Sequence, residues 1–268
     1  MSELDKKYND LLECLRTLDS AVIAFSGGVD STFLLYAAKE ALGDHVLAVT
    51  SASETIPERE LEKTRELARH IGAKHKIIYT REIAREDFRK NPPNRCYYCK
   101  EELIRELWNI AHSYHYKYVL EGSNYDDKGD FRPGLQAVEE YRAKSPLLEL
   151  GFTKQEIREL SRQHNLPTWN KPAMACLSSR FPYGEELTKE KIHLVEKGED
   201  ILQAIGFSQF RLRYHDQIAR IEIPCSEFEL AINNSQEIVA KLSELGFNYI
   251  TLDLAGYRSG SMNKGLKN

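Results

Sequence analysis

The sequence lacks several features that would point away from an ordinary globular enzyme. Its 268 residues contain no apolar run long enough to span a bilayer, so no membrane segment is predicted. The net charge is only −4, which disfavours a nucleic-acid partner because proteins that grip a long nucleic acid usually carry a basic excess. No internal repeat or low-complexity segment is present. With 41% hydrophobic residues, the chain has enough apolar material for a real core.

The sequence also lacks signs of export. The amino terminus opens directly into a charged amphipathic pattern, Met1-Ser2-Glu3-Leu4-Asp5-Lys6, which is not typical of a signal peptide. We therefore expect a cytoplasmic protein. Five cysteines are an odd number, and in a cytoplasmic chain this argues against a disulfide framework. Cys14 and Cys225 are interpreted as small hydrophobic residues, and the other three are candidates for chemistry.

The strongest local signal is a glycine-rich turn, Ser26-Gly27-Gly28-Val29-Asp30-Ser31. A short apolar run predicts a buried strand before it, and a helix is predicted after it. This order aims free backbone N–H groups and the positive end of a helix dipole at a phosphate. The turn has neither the three spaced glycines of a dinucleotide fingerprint nor the Gly-Lys-Ser/Thr of a Walker loop. An ordinary tight turn remains the alternative at this point.

The whole hexapeptide resembles the pyrophosphate loop of the N-type ATP pyrophosphatases, which cleave ATP between the α and β phosphates. The resemblance implies that ATP is a cofactor and that residues 26–31 bind it. Within this loop, Asp30 is expected to hold Mg²⁺ rather than to repel the phosphates directly, because Mg²⁺ prefers oxygen ligands.

Alternating strand and helix patterns predict an α/β fold with a parallel sheet. Ligands of such sheets bind at the carboxyl ends of the strands. Ser53 follows the second predicted strand, and a polar, turn-rich loop at 123–130 follows the fourth. We predict an ATP pyrophosphatase domain at 1–165 and an active-site loop at 166–187. A smaller α+β domain for substrate binding or oligomerisation is predicted at 188–268.

Three cysteines form a second signal. Cys96 and Cys99 make a Cys-x-x-Cys pair near the start of a predicted helix, and Cys176 lies in the long loop. Three thiols suffice to hold a metal cluster, and a helix amino terminus lowers a thiol's pKa, which favours ligation and nucleophilicity. The spacing leaves open incidental thiols, a thioredoxin-like redox pair, and zinc with His164 or His193 as a fourth ligand.

Three longer segments, at 95–100, 121–134 and 171–180, resemble the LarE family of ATP-dependent sulfur transferases. This family makes the nickel-pincer nucleotide cofactor, and the resemblance covers nearly the full length of the chain. It implies that ATP adenylates the carboxylates of pyridinium-3,5-biscarboxylic acid mononucleotide, with release of pyrophosphate. Sulfur then displaces AMP, and each carboxylate becomes a thiocarboxylate. A carboxylate needs this activation because it is a poor electrophile until its oxygen joins a good leaving group.

Two kinds of LarE-like protein differ in their sulfur source. In one kind, a cysteine matching Cys176 surrenders its own sulfur and becomes dehydroalanine. In the other, three cysteines matching Cys96, Cys99 and Cys176 hold a [4Fe–4S] cluster with one open iron, which can deliver a hydrosulfide. This chain has all three cysteines, so the resemblance favours the cluster kind, with sulfide or another sulfur donor. The sacrificial reading stays open.

The resemblance also implies further contacts and an assembly. Asn124 and Asp126 match a second nucleotide-contacting loop. The residues that fall around the substrate and its phosphate are Ser179, Arg180, Arg211, Arg213 and Arg258. Arg211 and Arg213 alternate along a predicted strand and therefore share one face, which is either a solvated strand face or a clamp in which guanidinium forks bind the phosphate. Glu199 and Glu222 are interpreted as surface or structural charges, although either could lie near the site. A homo-oligomer, often a hexamer in the family, is expected.

Three other functions compete with this interpretation. A tRNA thiolase shares the loop and the adenylation chemistry, but phosphate contacts with tRNA normally demand a basic face. An amide-forming synthetase would leave the three cysteines without a role. A non-enzymatic ATP-binding protein would release no pyrophosphate.

Overall fold

The computed structural model describes residues 2–129, 133–172 and 174–258. The chain divides into two compact units, one made of Met1–Glu82 and Asn94–Met174, the other of Ile83–Pro93 and Ala175–Asn268. The second unit thus includes a short stretch that interrupts the first unit in sequence. The domain limits at 165, 187 and 188 stay a prediction.

Helices and strands alternate along the chain as far as the strand Tyr118–Leu120, apart from the short helix Glu86–Arg89, which comes directly before another helix. The helices are α1 (Glu3–Arg16), α2 (Val29–Leu42), α3 (Glu58–Ile71), α4 (Glu86–Arg89), α5 (Arg95–Ser113), α6 (Pro133–Glu140), α7 (Pro146–Glu149), α8 (Lys154–Gln163), α9 (Lys189–Ile205), α10 (Phe228–Asn233) and α11 (Ser235–Glu244). The strands are β1 (Ala21–Ala24), β2 (Val46–Ala52), β3 (Lys74–Tyr79), β4 (Tyr118–Leu120), β5 (Arg211–His215), β6 (Ile218–Glu222) and β7 (Tyr249–Leu252). Searched over the described ranges, these helices include none with the length and apolar character that a membrane crossing requires.

The first unit is built on a parallel sheet with the strand order β3-β2-β1-β4. In the register, Ala21 of β1 pairs with Val46 of β2 on one side and with Tyr118 of β4 on the other. Because all four strands run in the same direction, their carboxyl ends share one edge of the sheet. The predicted α/β fold with a parallel sheet is confirmed.

Apolar side chains cover both faces of this sheet. On one face, Leu11 and Leu15 of α1 pack with Phe33 of α2 in a buried cluster that also takes in α8. On the other face, Leu107 of α5 packs against Val22 of β1. Burying a leucine or phenylalanine side chain contributes about 1.5–3 kcal/mol to the stability of the fold. This packing therefore stabilises the strands whose carboxyl ends form the candidate site.

The second unit contains a three-stranded sheet with the order β5-β6-β7, in which β5 and β6 are antiparallel and β6 and β7 are parallel. Helix α9 packs on β5 and α11 packs on α9. The inserted stretch is tied in by backbone bonds from Leu187 N to Arg89 O, 2.9 Å, and from Gly184 N to Asn91 O, 3.0 Å. This small sheet is the α+β unit that the sequence predicts.

Candidate active site

The glycine-rich turn connects β1 directly to the amino terminus of α2. Gly27 has φ +67°, a left-handed conformation that glycine adopts without steric cost. A Cβ at Gly27 would lie 3.0 Å from Thr64 Cγ2, so space as well as conformation selects glycine there. The hydroxyls of Ser26 and Ser31 lie 3.0 Å apart and close the turn. The start of α2 therefore faces a short polar turn, which is the arrangement that binds a phosphate.

The loop after β4 packs against the start of α2. A Cβ at Gly122 would lie 3.0 Å from Ser31 N, so only glycine allows this close backbone approach. Beside it, buried Glu121 accepts a hydrogen bond from Lys100 Nζ at 2.9 Å and is also bound by Ser123 and Ser145. Burial alone would raise the pKa of Glu121, but Lys100 and the two hydroxyls hold it below its ordinary value. Glu121 thus joins the β4 loop to α5.

Asp30 lies in the first turn of α2 and pairs with a lysine from another helix. Lys154 Nζ donates to Asp30 Oδ2 at 2.6 Å, and both side chains are partly exposed, at 32% and 22%. The other carboxylate oxygen, Oδ1, is buried and meets no hydrogen-bond donor in the described part of the chain. A carboxylate oxygen of this kind fits Mg²⁺, which prefers oxygen ligands. The sequence signal for Lys154 was absent, because it lies more than a hundred residues from Asp30.

A second lysine holds the glycine turn from the side. Lys171 Nζ donates to the carbonyl of Gly27 at 2.9 Å and to Glu60 Oε2 at 2.9 Å. Burial would raise the pKa of Glu60, but Lys63 and Lys171 lower it, so the carboxylate stays charged. Arg158 of α8 donates to the carbonyl of Lys171 at 2.8 Å. Lys171 is therefore fixed against the glycine turn.

The other predicted nucleotide contacts lie at the same sheet edge. Ser53 follows the end of β2, and its hydroxyl lies 2.9 Å from that of Thr55. Asn124 is buried, and its Oδ1 accepts from Asp126 N at 3.0 Å. Asp126 Oδ2 accepts from the backbone N–H of Lys154 at 2.9 Å, which fixes the start of α8. The first unit thus brings Ser53, Asn124 and Asp126 to the edge that holds the glycine turn.

Cys96 and Cys99 lie in the first two turns of α5, which begins at Arg95. Cys96 is exposed and Cys99 is half-buried. The thiol of Cys99 donates to Glu82 Oε1 at 3.8 Å. Burial raises the pKa of Glu82. No sequence motif links this carboxylate to the cysteine pair, because Glu82 lies 17 residues before Cys99.

In the second unit, Cys176 stands directly before a single helical turn, Leu177–Arg180. Arg180 donates from one guanidinium nitrogen to the carbonyls of Ala175 and Cys176, at 2.7 and 3.0 Å, and to Ser179 Oγ at 2.9 Å. Arg180 is itself buried. It therefore shapes the backbone around Cys176 and leaves the half-buried thiol outside these contacts.

Two buried ion pairs support the arginines of the second unit. Arg180 forms two bonds with Glu199, at 2.8 and 2.9 Å, and their side chains are only 4% and 0% exposed. Arg213 donates to Glu222 at 2.7 Å and to the carbonyl of Ser179 at 2.8 Å. Burial would raise the pKa of Glu199, but Arg180 holds it low. Glu199 and Glu222 are therefore not surface charges; both are buried and paired with arginines predicted for the site.

Arg211 and Arg258 have more open surroundings. Arg211 lies two residues before Arg213 on β5, donates to the carbonyl of Phe210 at 2.7 Å, and stands 5.3 Å from the centre of the Tyr257 ring. Burial and the nearby Arg180 lower the pKa of Arg211. Arg258 is exposed and follows Tyr257 directly. Arginines at 180, 211 and 213 thus converge within the second unit.

The side chains that the sequence offers as metal ligands are cysteines and the two histidines His164 and His193. All five cysteines are described, and none of them forms a disulfide. Within the three described ranges, no group of three or more His, Cys, Asp or Glu side chains is arranged to hold a metal ion. His164 lies between the rings of Tyr8 and Tyr36, and His193 faces Glu196. The thiols retain the donor chemistry that a [4Fe–4S] cluster needs. Residues 130–132 and 173, which belong to the segments that carry the resemblance, lie outside the described residues.

Comparison with known proteins assigns the chain to a family. Pyridinium-3,5-bisthiocarboxylic acid mononucleotide synthase of Lactiplantibacillus plantarum is 38% identical over 264 residues, which is 98% of this chain and 96% of that protein. The chain belongs to the LarE family. An uncharacterized protein of Synechocystis is 43% identical over 97% of this chain and 98% of its own length. One of Methanocaldococcus jannaschii is 30% identical over 97% of this chain and 98% of its own length.

Residues 20–88 also match the family model of the queuosine biosynthesis protein QueC. This match covers the first three strands of the parallel sheet and the glycine turn, so it agrees with the pyrophosphate-loop interpretation of that turn. The LarE relationship extends over both units. Sequence reasoning missed Lys154 and Glu82 in this LarE-family chain, because the tertiary fold brings them to their partners. Glu121 and Lys171 lie in segments that carry the resemblance, but the sequence assigned them no role.

Proposed function

We propose that the protein is an ATP-dependent sulfur transferase that converts the carboxylates of pyridinium-3,5-biscarboxylic acid mononucleotide into thiocarboxylates. Membership of the LarE family supports the substrate. The single structural observation that supports ATP chemistry is the turn from Ser26 to Ser31, with its left-handed Gly27 and the open amino terminus of α2. ATP and Mg²⁺ are the proposed cofactors.

The first half-reaction joins a substrate carboxylate oxygen to the α phosphorus of ATP. The bond between the α phosphorus and the bridging oxygen breaks, and pyrophosphate leaves. In this proposal, backbone N–H groups at the start of α2 and the hydroxyls of Ser26 and Ser31 hold the phosphates. Asp30 holds Mg²⁺, which offsets phosphate charge. Ser53, Asn124 and Asp126 line the same sheet edge and complete the nucleotide site.

The second half-reaction replaces AMP with sulfur. We propose that Cys96, Cys99 and Cys176 hold a [4Fe–4S] cluster, which would supply a site for an incoming sulfide. Three thiols outside any disulfide support this proposal. The alternative is attack by the Cys176 thiolate on the acyl-adenylate, which expels AMP and forms a thioester. Loss of the cysteine α proton and cleavage of its Cβ–S bond then leave the thiocarboxylate and dehydroalanine.

The substrate's own phosphate is assigned to the arginine-rich part of the second unit. Guanidinium groups bind phosphate through paired N–H donors. Ser179, Arg180, Arg211, Arg213 and Arg258 are the proposed contacts. A cytoplasmic homo-oligomer also stays a prediction, and light scattering after size-exclusion chromatography tests the assembly.

The test combines two measurements on the purified protein. Pyrophosphate release should require ATP, Mg²⁺ and the pyridinium mononucleotide together, and mass spectrometry should show replacement of carboxylate oxygen by sulfur. Pyrophosphate release with tRNA in place of the mononucleotide would support a tRNA thiolase instead. Absence of pyrophosphate release with every substrate would contradict an adenylating enzyme.

The sulfur source needs a test of its own. Anaerobically purified protein should contain iron and acid-labile sulfide, and alanine at Cys96, Cys99 or Cys176 should remove the iron and the activity together. A sacrificial mechanism instead predicts that only Cys176→Ala is inactive and that spent protein contains dehydroalanine at position 176. Dehydroalanine after turnover with added sulfide would rule out the cluster route.

A further inference from the structure

The glycine turn contributes no positive side chain of its own. Residues 26–31 include neither lysine nor arginine, whereas a Walker loop supplies a lysine to the phosphates. The turn does contain Asp30, whose negative charge lies in the first turn of α2. A carboxylate at this position repels a bound phosphate unless a cation neutralises the carboxylate. In this structure the cation is Lys154, 2.6 Å away.

The two lysines at the turn are held differently. Lys171 has two acceptors, the Gly27 carbonyl and Glu60, and its side chain is 15% exposed. The side chain of Lys154 pairs with one carboxylate, that of Asp30, and is about twice as exposed. Its backbone is nevertheless fixed, because its N–H donates to Asp126 and α8 is capped by Thr153 and Glu156. The ammonium of Lys154 can therefore move while its attachment point stays in place.

We propose that Lys154 is a phosphate-binding residue that exchanges partners when the nucleotide arrives. It neutralises Asp30 in the empty site and moves to the polyphosphate of ATP when Mg²⁺ takes Asp30. The buried, unpartnered Oδ1 of Asp30 supports this exchange, since that oxygen is already available to a cation. This inference rests on the proposed use of Mg²⁺ and ATP and names a residue that no sequence motif identified.

The exchange leaves every charged group with a partner of opposite charge. Before binding, Asp30 and Lys154 cancel each other. After binding, Mg²⁺ faces Asp30 and the phosphates, while Lys154 adds a charge-assisted hydrogen bond to a phosphate oxygen. A lysine that only stabilised Asp30 would gain no such contact, so the two roles predict different ligand dependence.

Titration calorimetry with ATP, pyrophosphate and AMP in the presence of Mg²⁺ tests the proposal. Lys154→Met should weaken ATP and pyrophosphate binding about ten- to a hundredfold, the usual effect of one charged hydrogen bond. AMP binding should change less than about threefold, because AMP lacks the β and γ phosphates. Lys154→Arg should retain part of the affinity.

The matched control is Lys39→Met. Lys39 pairs with Asp44 at 2.6 Å, its side chain is 25% exposed, and it lies in the last turn of α2, at the opposite end of that helix from the glycine turn. This variant should bind all three ligands as the wild type does. Mn²⁺ binding without nucleotide, followed by electron paramagnetic resonance, should be tighter in Lys154→Met, because the competitor for Asp30 is gone.

Several outcomes would overturn the inference. If Lys154→Met binds ATP with wild-type affinity, Lys154 does not contact the phosphates. If the variant weakens AMP and ATP binding equally, Lys154 serves only as a structural ion pair. If Lys154→Met misfolds, the double variant Asp30→Asn/Lys154→Met removes both charges of the pair and serves in its place. The single variant Asp30→Asn, which keeps Lys154, should then bind pyrophosphate more tightly than the double variant. A wild-type protein that binds no ATP would instead contradict the proposed function itself.

Discussion

The glycine turn of the first unit and the arginine cluster of the second unit hold their charges in opposite ways. At the glycine turn of the first unit, the Asp30–Lys154 pair is partly exposed, and one oxygen of Asp30 has no protein donor in the described residues. In the second unit, Arg180–Glu199 is almost fully buried and makes two direct bonds. A partly exposed pair can be exchanged for a ligand at low cost, whereas a buried pair is costly to separate.

This difference separates two kinds of site residue. In the proposed function, charges at the glycine turn are available to an incoming cation and polyphosphate. The arginines at 180 and 213 are already held by carboxylates, so they provide a rigid, oriented frame. Arg211 is less buried than these two; it donates to the carbonyl of Phe210, stands over the ring of Tyr257 and lies near Glu199. The following predictions test this contrast.

The largest expected effect is the loss of catalysis in Asp30→Ala. Removing the carboxylate removes the proposed Mg²⁺ ligand, so pyrophosphate release should be abolished while the fold persists. Circular dichroism and a pyrophosphate-coupled assay measure the two properties. The control is Asp44→Ala, which removes an exposed ion pair with Lys39 elsewhere in the unit and should leave the rate unchanged. Wild-type pyrophosphate release by Asp30→Ala would show that the nucleotide site is assigned wrongly.

The second effect is on stability in Glu199→Ala. This change leaves Arg180 buried without its carboxylate, and breaking a buried pair from one side costs about 3–5 kcal/mol. Urea unfolding should show the loss as a lower transition midpoint. Glu237→Ala breaks the exposed pair with Lys241 in the same unit, and it should cost less than about 1 kcal/mol. Similar losses in both variants would remove the distinction between the two kinds of pair.

The third effect concerns substrate affinity. Arg211→Ala and Arg213→Ala should each weaken binding of the pyridinium mononucleotide by about 1.5–3 kcal/mol, on the order of ten- to a hundredfold. ATP binding should hardly change. Arg213→Ala should also lower the unfolding midpoint, because it takes a partner from buried Glu222. Calorimetry with both ligands, alongside urea unfolding, separates these effects; an equal loss of ATP binding would place the arginines elsewhere.

The sequence predicted the parallel sheet and the glycine turn because their signals are local. The apolar run of β1, the glycines and the helix after them are contiguous, and short-range patterns suffice to identify them. Helix α6 begins at Pro133 and is not evident from the sequence, because a Pro-Gly pair such as Pro133-Gly134 is a turn signal. Proline is in fact well suited to a first helical turn, and Gly134 packs against Lys100 and the Cys96 carbonyl of α5.

The partners within the site could not be predicted in the same way. Lys154 and Asp30 are 124 residues apart in the chain, and Arg180 and Glu199 are 19 apart. Nothing in a single sequence specifies which charges meet after folding. The sequence therefore identified Asp30 and Arg180 as candidates but not the groups that neutralise them, and these groups decide whether a charge is exchangeable or fixed.

The smallest predicted effect is a dependence of stability on pH that both units share. His75 in the first unit lies 2.8 Å from Thr50 Oγ1, which in turn donates to the carbonyl of Phe25 just before the glycine turn. Burial lowers the pKa of His75, and burial with Arg220 and Arg213 lowers the pKa of His215 in the second unit. Both imidazoles are therefore neutral in the folded protein at pH 7.

The sign follows from proton binding. A histidine whose pKa is lower in the folded state binds more protons when unfolded, so its contribution to stability is fully present above about pH 6.5. It is lost as the pH falls from that value towards the folded pKa, at no more than about 1.4 kcal/mol per pH unit for each histidine. Urea midpoints measured between pH 7.5 and 5.5 should decline, and His75→Gln and His215→Gln should each flatten the decline. An unchanged slope in His75→Gln would show that His75 titrates normally and does not couple pH to the base of the nucleotide turn.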